Sequence, residues 1–185
     1  MRDWSLHLLD LMENSLRAEA KLIRLSIELF SDGVMDITLE DDGCGMAPEL
    51  AAAADSPLST TRTTRKVGLG LPLARQNAEL TGGYLRLTSC PHQGTTVMIR
   101  VLSSHIDCLP LGDPAQTMFS LICMNPLSPD FVWDLCSPQG QEHFSTAAVR
   151  RVLGPQVPLD EPDVRAYLKG LLCEQCQTVF GGILL

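Results

Sequence analysis

Along the first hundred residues, the spacing of apolar positions switches between two periods. Trp4, Leu8, Leu11 and Ser15 or Leu16 recur at helical spacing, which predicts a helix over residues 4 to about 19. In "KLIRLSIELF" the period drops to two, placing Ile23, Leu25, Ile27 and Leu29 on one face of a strand. "SDG" at 31–33 is a turn signal, and "VMDITLE" continues the alternation as the second arm of a hairpin. "APELAAAA" reads as a short helix, and "VGLGLPLARQNAELTGG" as a longer one stopped by Gly82–Gly83. Between them lies "DSPLSTTRTTRK", polar and without apolar periodicity. "YLRLTS" and "TTVMIRVL", joined through Pro91 and Gly94, form a second hairpin. The order is α+β: a two-layer sandwich of helices over a largely antiparallel sheet of about four strands.

The texture changes near residues 105–114, and eight of the twelve prolines lie from Pro110 onward, which sets the expected boundary at residue 104. In residues 105–185, "TMFSLICM", "DFVWDLCS" and "EHFST" read as strands. "TAAVRRVLG" and "PDVRAYLKGLLCEQCQTVF" read as helices, so this part is expected to be a small α+β region of unknown role.

Composition narrows the function classes. A net charge of −8 argues against a general nucleic-acid or anionic-membrane binder, yet leaves room for a small anion in a local basic pocket. No signal peptide is visible and no stretch approaches the roughly eighteen apolar residues of a membrane span, so the chain reads as cytoplasmic. Seven cysteines, odd in number and scattered, are not a disulfide framework. The local pair Cys173 and Cys176 leaves a redox or metal adaptor as a minor reading.

Three stretches carry candidate chemistry. Alternation puts Asp41 of "LEDDGCGM" on the apolar face, where a carboxylate needs a donor from the protein or from a ligand. Gly43 and Gly45 beside it permit close backbone approach, and Asp42 reads as a turn residue. Gly68 and Gly70 open a helix, where free N–H groups and the helix dipole favour phosphate. The loop before it supplies four threonines with Arg62, Arg65 and Lys66, either as a phosphate-facing lid or as a solvated surface loop. On the first helix Asp10, Asn14 and Arg17 share a face, either solvated or able to offer an oxygen ligand to a hard cation.

Asn-bearing helix, D-x-G-x-G after a strand, Thr/Arg loop, G-x-G at a helix start and "GTTV" form an ordered set. That set resembles the GHKL ATPase superfamily: gyrase, mismatch-repair ATPases, heat-shock chaperones, histidine kinases and anti-sigma serine kinases. The resemblance covers roughly residues 4 to 102. "DLMENSLRAEAKLIRLSIE" is most similar to the mismatch-repair and gyrase form, and "STTRTTRKVGLGLPLARQNAELTGGYLRLTS" to a histidine kinase. It implies a Bergerat fold and the cofactors ATP and Mg²⁺. Asn14 would hold the Mg²⁺ that bridges the phosphates, and Asp41 would accept the adenine amino group. Gly43 and Gly45 would shape the pocket wall, and Gly68 and Gly70 would present N–H groups to phosphate. Arg62, Arg65 and Lys66 would occupy the lid, and Thr95 would support the adenine.

Where hydrolytic members place Glu four residues before the Asn, this chain has Asp10, a carboxylate one methylene shorter. No helical hairpin carrying a phosphoacceptor histidine precedes the Asn-bearing helix, so a complete autophosphorylating histidine kinase is not expected. The leading expectation is a Mg²⁺-dependent protein kinase or slow ATPase of bacterial-type signalling, with Asp10 as candidate catalytic base. The alternative is a non-catalytic nucleotide-sensing module. Expected partners are ATP or ADP and a protein, with a homodimer left open.

Overall fold

The computed structural model describes residues 1–55, 70–154 and 157–181. Helix α1 (Trp4–Arg17) is followed by strands β1 (Leu22–Leu29) and β2 (Val34–Asp41), then by α2 (Pro48–Asp55) and α3 (Gly70–Leu80). Strands β3 (Tyr84–Cys90) and β4 (Gly94–Leu102) make the second hairpin. The chain continues through α4 (Pro114–Met124), β5 (Asp130–Ser137), β6 (Gly140–Ser145), α5 (Thr146–Leu153) and α6 (Pro162–Phe180).

The strands form one six-stranded sheet in the order β3-β4-β2-β1-β5-β6. Four neighbouring pairs are antiparallel and the β1–β5 pair is parallel, so the sheet is mostly antiparallel. A parallel neighbour cannot be reached through a tight turn, and the chain arrives at β5 by way of α4. Period-two alternation turns Ile23, Leu25, Ile27, Met35, Ile37, Leu39, Leu85, Val97, Ile99, Phe131, Trp133 and Leu135 to one face, where all are buried. The helices meet that face with Trp4, Leu8, Met12, Ala74, Ala78, Met118, Ile122, Leu168 and Leu172. The other face is polar: Arg24 meets Asp134 at 2.8 Å, and Arg100 holds Asp36 through two nitrogens.

This two-layer sandwich agrees with the expected fold class. The chain beyond residue 104 adds β5 and β6 to the same sheet, and its apolar side chains join the same core. One local reading is corrected. "TMFSLICM" lies in α4, where Ala115, Met118, Leu121 and Ile122 are buried at helical spacing. The overlooked signal is the start: Asp113 caps Gln116 N–H at 2.8 Å and Pro114 occupies the first turn, a pairing that favours a helix. α3 is described from Gly70, and residues 67–69 of the longer expected helix lie outside the described residues.

Candidate functional site

Strand β2 ends at Asp41 on the side where Met35, Ile37 and Leu39 are buried, as the alternation requires. Its carboxylate is half-buried and finds two donors within the protein. Ser15 Oγ, on α1, donates to Oδ2 at 2.7 Å, and the Gly43 N–H donates to Oδ1 at 2.9 Å. The second bond is the local turn that an Asp side chain makes with the backbone two residues on. A carboxylate has about four acceptor positions, so two donors orient Asp41 without exhausting it. Its neighbour Asp42 does different work: Oδ1 accepts Lys21 N–H at 2.7 Å and Leu22 N–H at 2.8 Å, pinning the start of β1.

The glycines after β2 are required by contact. A Cβ on Gly43 would lie 2.7 Å from the Ala18 carbonyl oxygen. Gly45 has φ of +62°, and a Cβ there would lie 1.9 Å from the Cys90 carbonyl oxygen. The loop is thereby pressed between the end of α1 and the β3–β4 hairpin. Cys44 N–H bonds to Ala18 O at 2.9 Å, and His92 N–H to Cys44 O at 2.8 Å.

Thr95 lies opposite Asp41 in the β2–β4 register. Its hydroxyl is 2.9 Å from Ser89 Oγ. Ser89 donates to Gly94 O at 3.0 Å and accepts from Met46 N–H at 2.9 Å, which leaves Thr95 as donor to Ser89. A cavity of about 60 Å³ opens between α1, the end of β2 and the start of α3. Asn14, Ser15, Asp41 and Thr95 supply its polar wall, Gly45 its edge, and Leu39, Leu71, Leu87 and Val97 its apolar wall. Few convergent polar groups on an apolar floor are the usual makeup of a small-molecule site. Among the described residues, larger depressions lie elsewhere, one of about 240 Å³ beside Asp134 and His143 and one of about 230 Å³ beside Cys173 and Cys176. Neither draws side chains from as many separate elements.

Asn14 Oδ1 accepts from Arg17 Nη1 at 3.0 Å, and Arg17 also pairs with Glu13 at 2.8 Å, as their shared helix face predicts. Asp10 stands apart from the cavity wall. Its carboxylate packs against Gly70, the first residue of α3, so closely that a Cβ on Gly70 would lie 1.6 Å from Oδ2. That oxygen is sealed from solvent and has no hydrogen-bond partner among the described residues. One turn earlier, His7 Nε2 is 2.9 Å from Asn77 Nδ2 of α3, tying the two helices together. Burial lowers the pKa of His7, and the nearby amino terminus lowers it further.

Asn14, Asp41, Gly45 and Thr95 are thus brought together, Gly43 braces the loop behind them, and Gly70 with Asp10 sits at the adjoining helix start. Arg62, Arg65, Lys66 and Gly68 lie outside the described residues. Sequence reasoning missed two residues, Ser15 and Ser89. Ser15 does leave a signal, a hydroxyl in the apolar stripe of α1, whereas Ser89 is distinguished only by the partner strand. Cys173 is exposed, and burial raises the Cys176 thiol to about 12. Among the described residues no three His, Cys, Asp or Glu side chains are grouped to hold a metal.

The six-stranded, mostly antiparallel sheet under its layer of helices is a two-layer sandwich of the Bergerat type. The family model for histidine kinase-, DNA gyrase B- and HSP90-like ATPases matches residues 5–105. The chain therefore belongs to that family of ATPase domains. It is 32% identical over 98 residues to the histidine protein kinase DivJ of Caulobacter vibrioides, covering 50% of this chain and 16% of DivJ. Among solved structures it is similar to the histidine kinase domain of the blue-light-activated histidine kinase EL346 of Erythrobacter litoralis. Identity there is 26% with a TM-score of 0.34, over 46% of this chain and 34% of that one. A longer form of EL346 matches at 27% identity and a TM-score of 0.33, over 44% and 22% of the two chains. The chain thus spans a small part of the curated relative's length. Among the described residues no helix is long and apolar enough to cross a membrane.

Proposed function

We propose that this protein binds ATP with Mg²⁺ in the cleft beside Asp41 and acts in signalling through a protein partner. The observation that carries the reading is Asp41 itself. It is oriented by Ser15 and Gly43 on an apolar wall and retains acceptor capacity, which suits the exocyclic amine of adenine. Thr95, bonded to Ser89 across from it, supports the ring. Gly70 and Gly68 offer backbone N–H groups to the phosphates, and Arg62, Arg65 and Lys66 contribute positive charge. The fit to Mg²⁺ rests on Asn14, whose amide oxygen is a hard ligand. Arg17 now holds that oxygen, but the Arg17 side chain is 65% exposed and can leave at little cost. Mg²⁺, when bound, neutralises phosphate charge. Asn14 orients that end of the nucleotide while the wall of Leu39, Leu71, Leu87 and Val97 excludes water from the base.

Under this reading the γ-phosphoryl group passes to a protein acceptor or is slowly hydrolysed, with Asp10 as candidate base. One observation favours the second reading, a nucleotide sensor without catalysis: Asp10 packs on Gly70 and does not line the cavity. Saturation with ATP·Mg²⁺ or ADP·Mg²⁺ at about a hundred times Kd should stabilise the protein by roughly 2.7 kcal/mol, read as a melting shift. Asp41→Ala should remove that shift while leaving the far-ultraviolet circular dichroism intact. A wild-type protein whose melting ignores every adenine nucleotide would refute both readings. Incubation with γ-labelled ATP, with and without cell extract, then separates them: free phosphate or a labelled protein means catalysis, and intact nucleotide means a sensor.

A further inference from the structure

We propose that Cys173 and Cys176 are a thiol–disulfide exchange site, a dithiol on α6 that a small disulfide such as oxidised glutathione closes into a labile disulfide. The proposal is independent of the nucleotide reading above. Three observations carry it. First, the two cysteines stand three residues apart inside α6, a nineteen-residue helix. From the rise and pitch of an α-helix their Cα atoms lie about 5 Å apart, within the span of a disulfide. Second, their exposure differs: Cys173 is open to solvent and Cys176 is half-buried. Third, both line one depression of about 230 Å³ at the joint of α6 and the start of α4, with Leu111, Ala115 and Phe180 as its apolar wall. That depression gives a small disulfide a place beside the thiols.

Exposure fixes the order of events. The Cys173 thiolate attacks one sulfur of the small disulfide, and a glutathione thiolate leaves. Cys176, once deprotonated, attacks the Cys173 sulfur, and the second glutathione leaves. The protein loses two hydrogens with their electrons, and the small disulfide gains them. The second step is slow. Burial first, then the charges of Asp113 and Cys173, raise the Cys176 thiol to about 12, against a bond from the Ala115 N–H. The closed form is strained: Cβ atoms at this helical spacing lie about 5–6 Å apart, and a disulfide needs them about 4 Å apart. Strained disulfides are the readily reduced ones, which makes this a reversible modification and not a structural bridge. Closure also draws the Cys176 sulfur away from the Ala115 N–H in the first turn of α4. α4 packs on α1, the helix that bears Asn14.

The test uses the full 185-residue chain, incubated with oxidised and reduced glutathione in set ratios, quenched in acid and cleaved with trypsin. Residues 170–185 form one tryptic peptide that holds Cys173 and Cys176 and no other cysteine, so the exposed Cys44 and Cys90 are read apart. In wild type this peptide should become lighter by two hydrogens and return to the dithiol in excess reduced glutathione. Cys176→Ser should stop at the mixed disulfide with glutathione, and Cys173→Ser should react roughly tenfold more slowly than Cys176→Ser. Closure of the wild-type mixed disulfide should quicken about tenfold per pH unit between about pH 7 and 9, as a thiol of about 12 requires. Hydrogen exchange at the start of α4 should be faster in the closed form. A wild-type peptide that stays reduced, ends as the mixed disulfide, or closes and resists excess reduced glutathione overturns the proposal. So does equal reactivity of the two single variants, closure at a rate independent of pH, or unchanged exchange at α4. Circular dichroism before oxidation establishes that the compared proteins are folded.

Discussion

His7 shows how a single buried group couples the two helices beside the site. It is fully buried against Trp4, with ring centroids 5.2 Å apart, and bonds to Asn77. Burial favours the neutral imidazole and holds its pKa below the ordinary 6.5. The unfolded chain therefore takes up the proton first as pH falls. Stability contributed by neutral His7 is complete above about pH 6.5, declines below that value and is gone once pH passes beneath the folded pKa. Urea midpoints measured from pH 7.5 to 5 should fall with pH in wild type, and His7→Gln should flatten that fall. Equal slopes in the two proteins would remove His7 from the pH dependence. At the same scale, the inward position of Asp41 was legible from alternation alone. Its donor Ser15 was not, because twenty-six residues separate them and only packing of α1 on β2 brings them to 2.7 Å.

The loop after β2 is the element on which the site turns. Its pressed course between α1 and the β3–β4 hairpin depends on glycine at 45. Gly45→Ala would demand a positive φ of an L side chain and a Cβ inside the Cys90 carbonyl. A loss of more than about 2 kcal/mol is expected in urea unfolding, together with weaker nucleotide binding. A variant of unchanged stability would mean that the loop can take another course. The helices and strands of residues 1–104 were readable because their periodicities are long and locally consistent. "TMFSLICM" was misread because a short apolar run fits either period. The matter was decided by the core it meets, with Met118 and Ile122 turned inward together and Asp113 capping the start.

For the whole molecule, we expect residues 1–104 and 105–185 to fold as one unit. Trp4 N–H bonds to Pro110 O and Ser5 N–H to Leu111 O, each at 2.9 Å, so the later segment anchors the helix that bears Asn14. β5 covers the edge of β1 along its length, and Phe131, Trp133 and Leu135 are buried in the shared core. Truncation after residue 104 should therefore yield a chain without a cooperative thermal transition that binds a hydrophobic dye. A cooperatively melting, nucleotide-binding fragment would show instead that the later region is dispensable.

Chain-local information determined which segments are helices and strands over the first hundred residues, which face of each is apolar, and that an inward Asp41 needs a donor. It also carried the ordered motifs that place residues 5–105 in their ATPase family. Other features required the tertiary structure. These are the parallel joining of β5 to β1, the merging of both regions into one core, Ser15 and Ser89 as partners of Asp41 and Thr95, and the seating of Asp10 on Gly70. The physical reason is common to all of them. Periodicity and turn chemistry act over a few residues, whereas these contacts join segments fixed only by how a single apolar face is covered. Ser89 and Thr95 are close in sequence, but even they meet only through strand register.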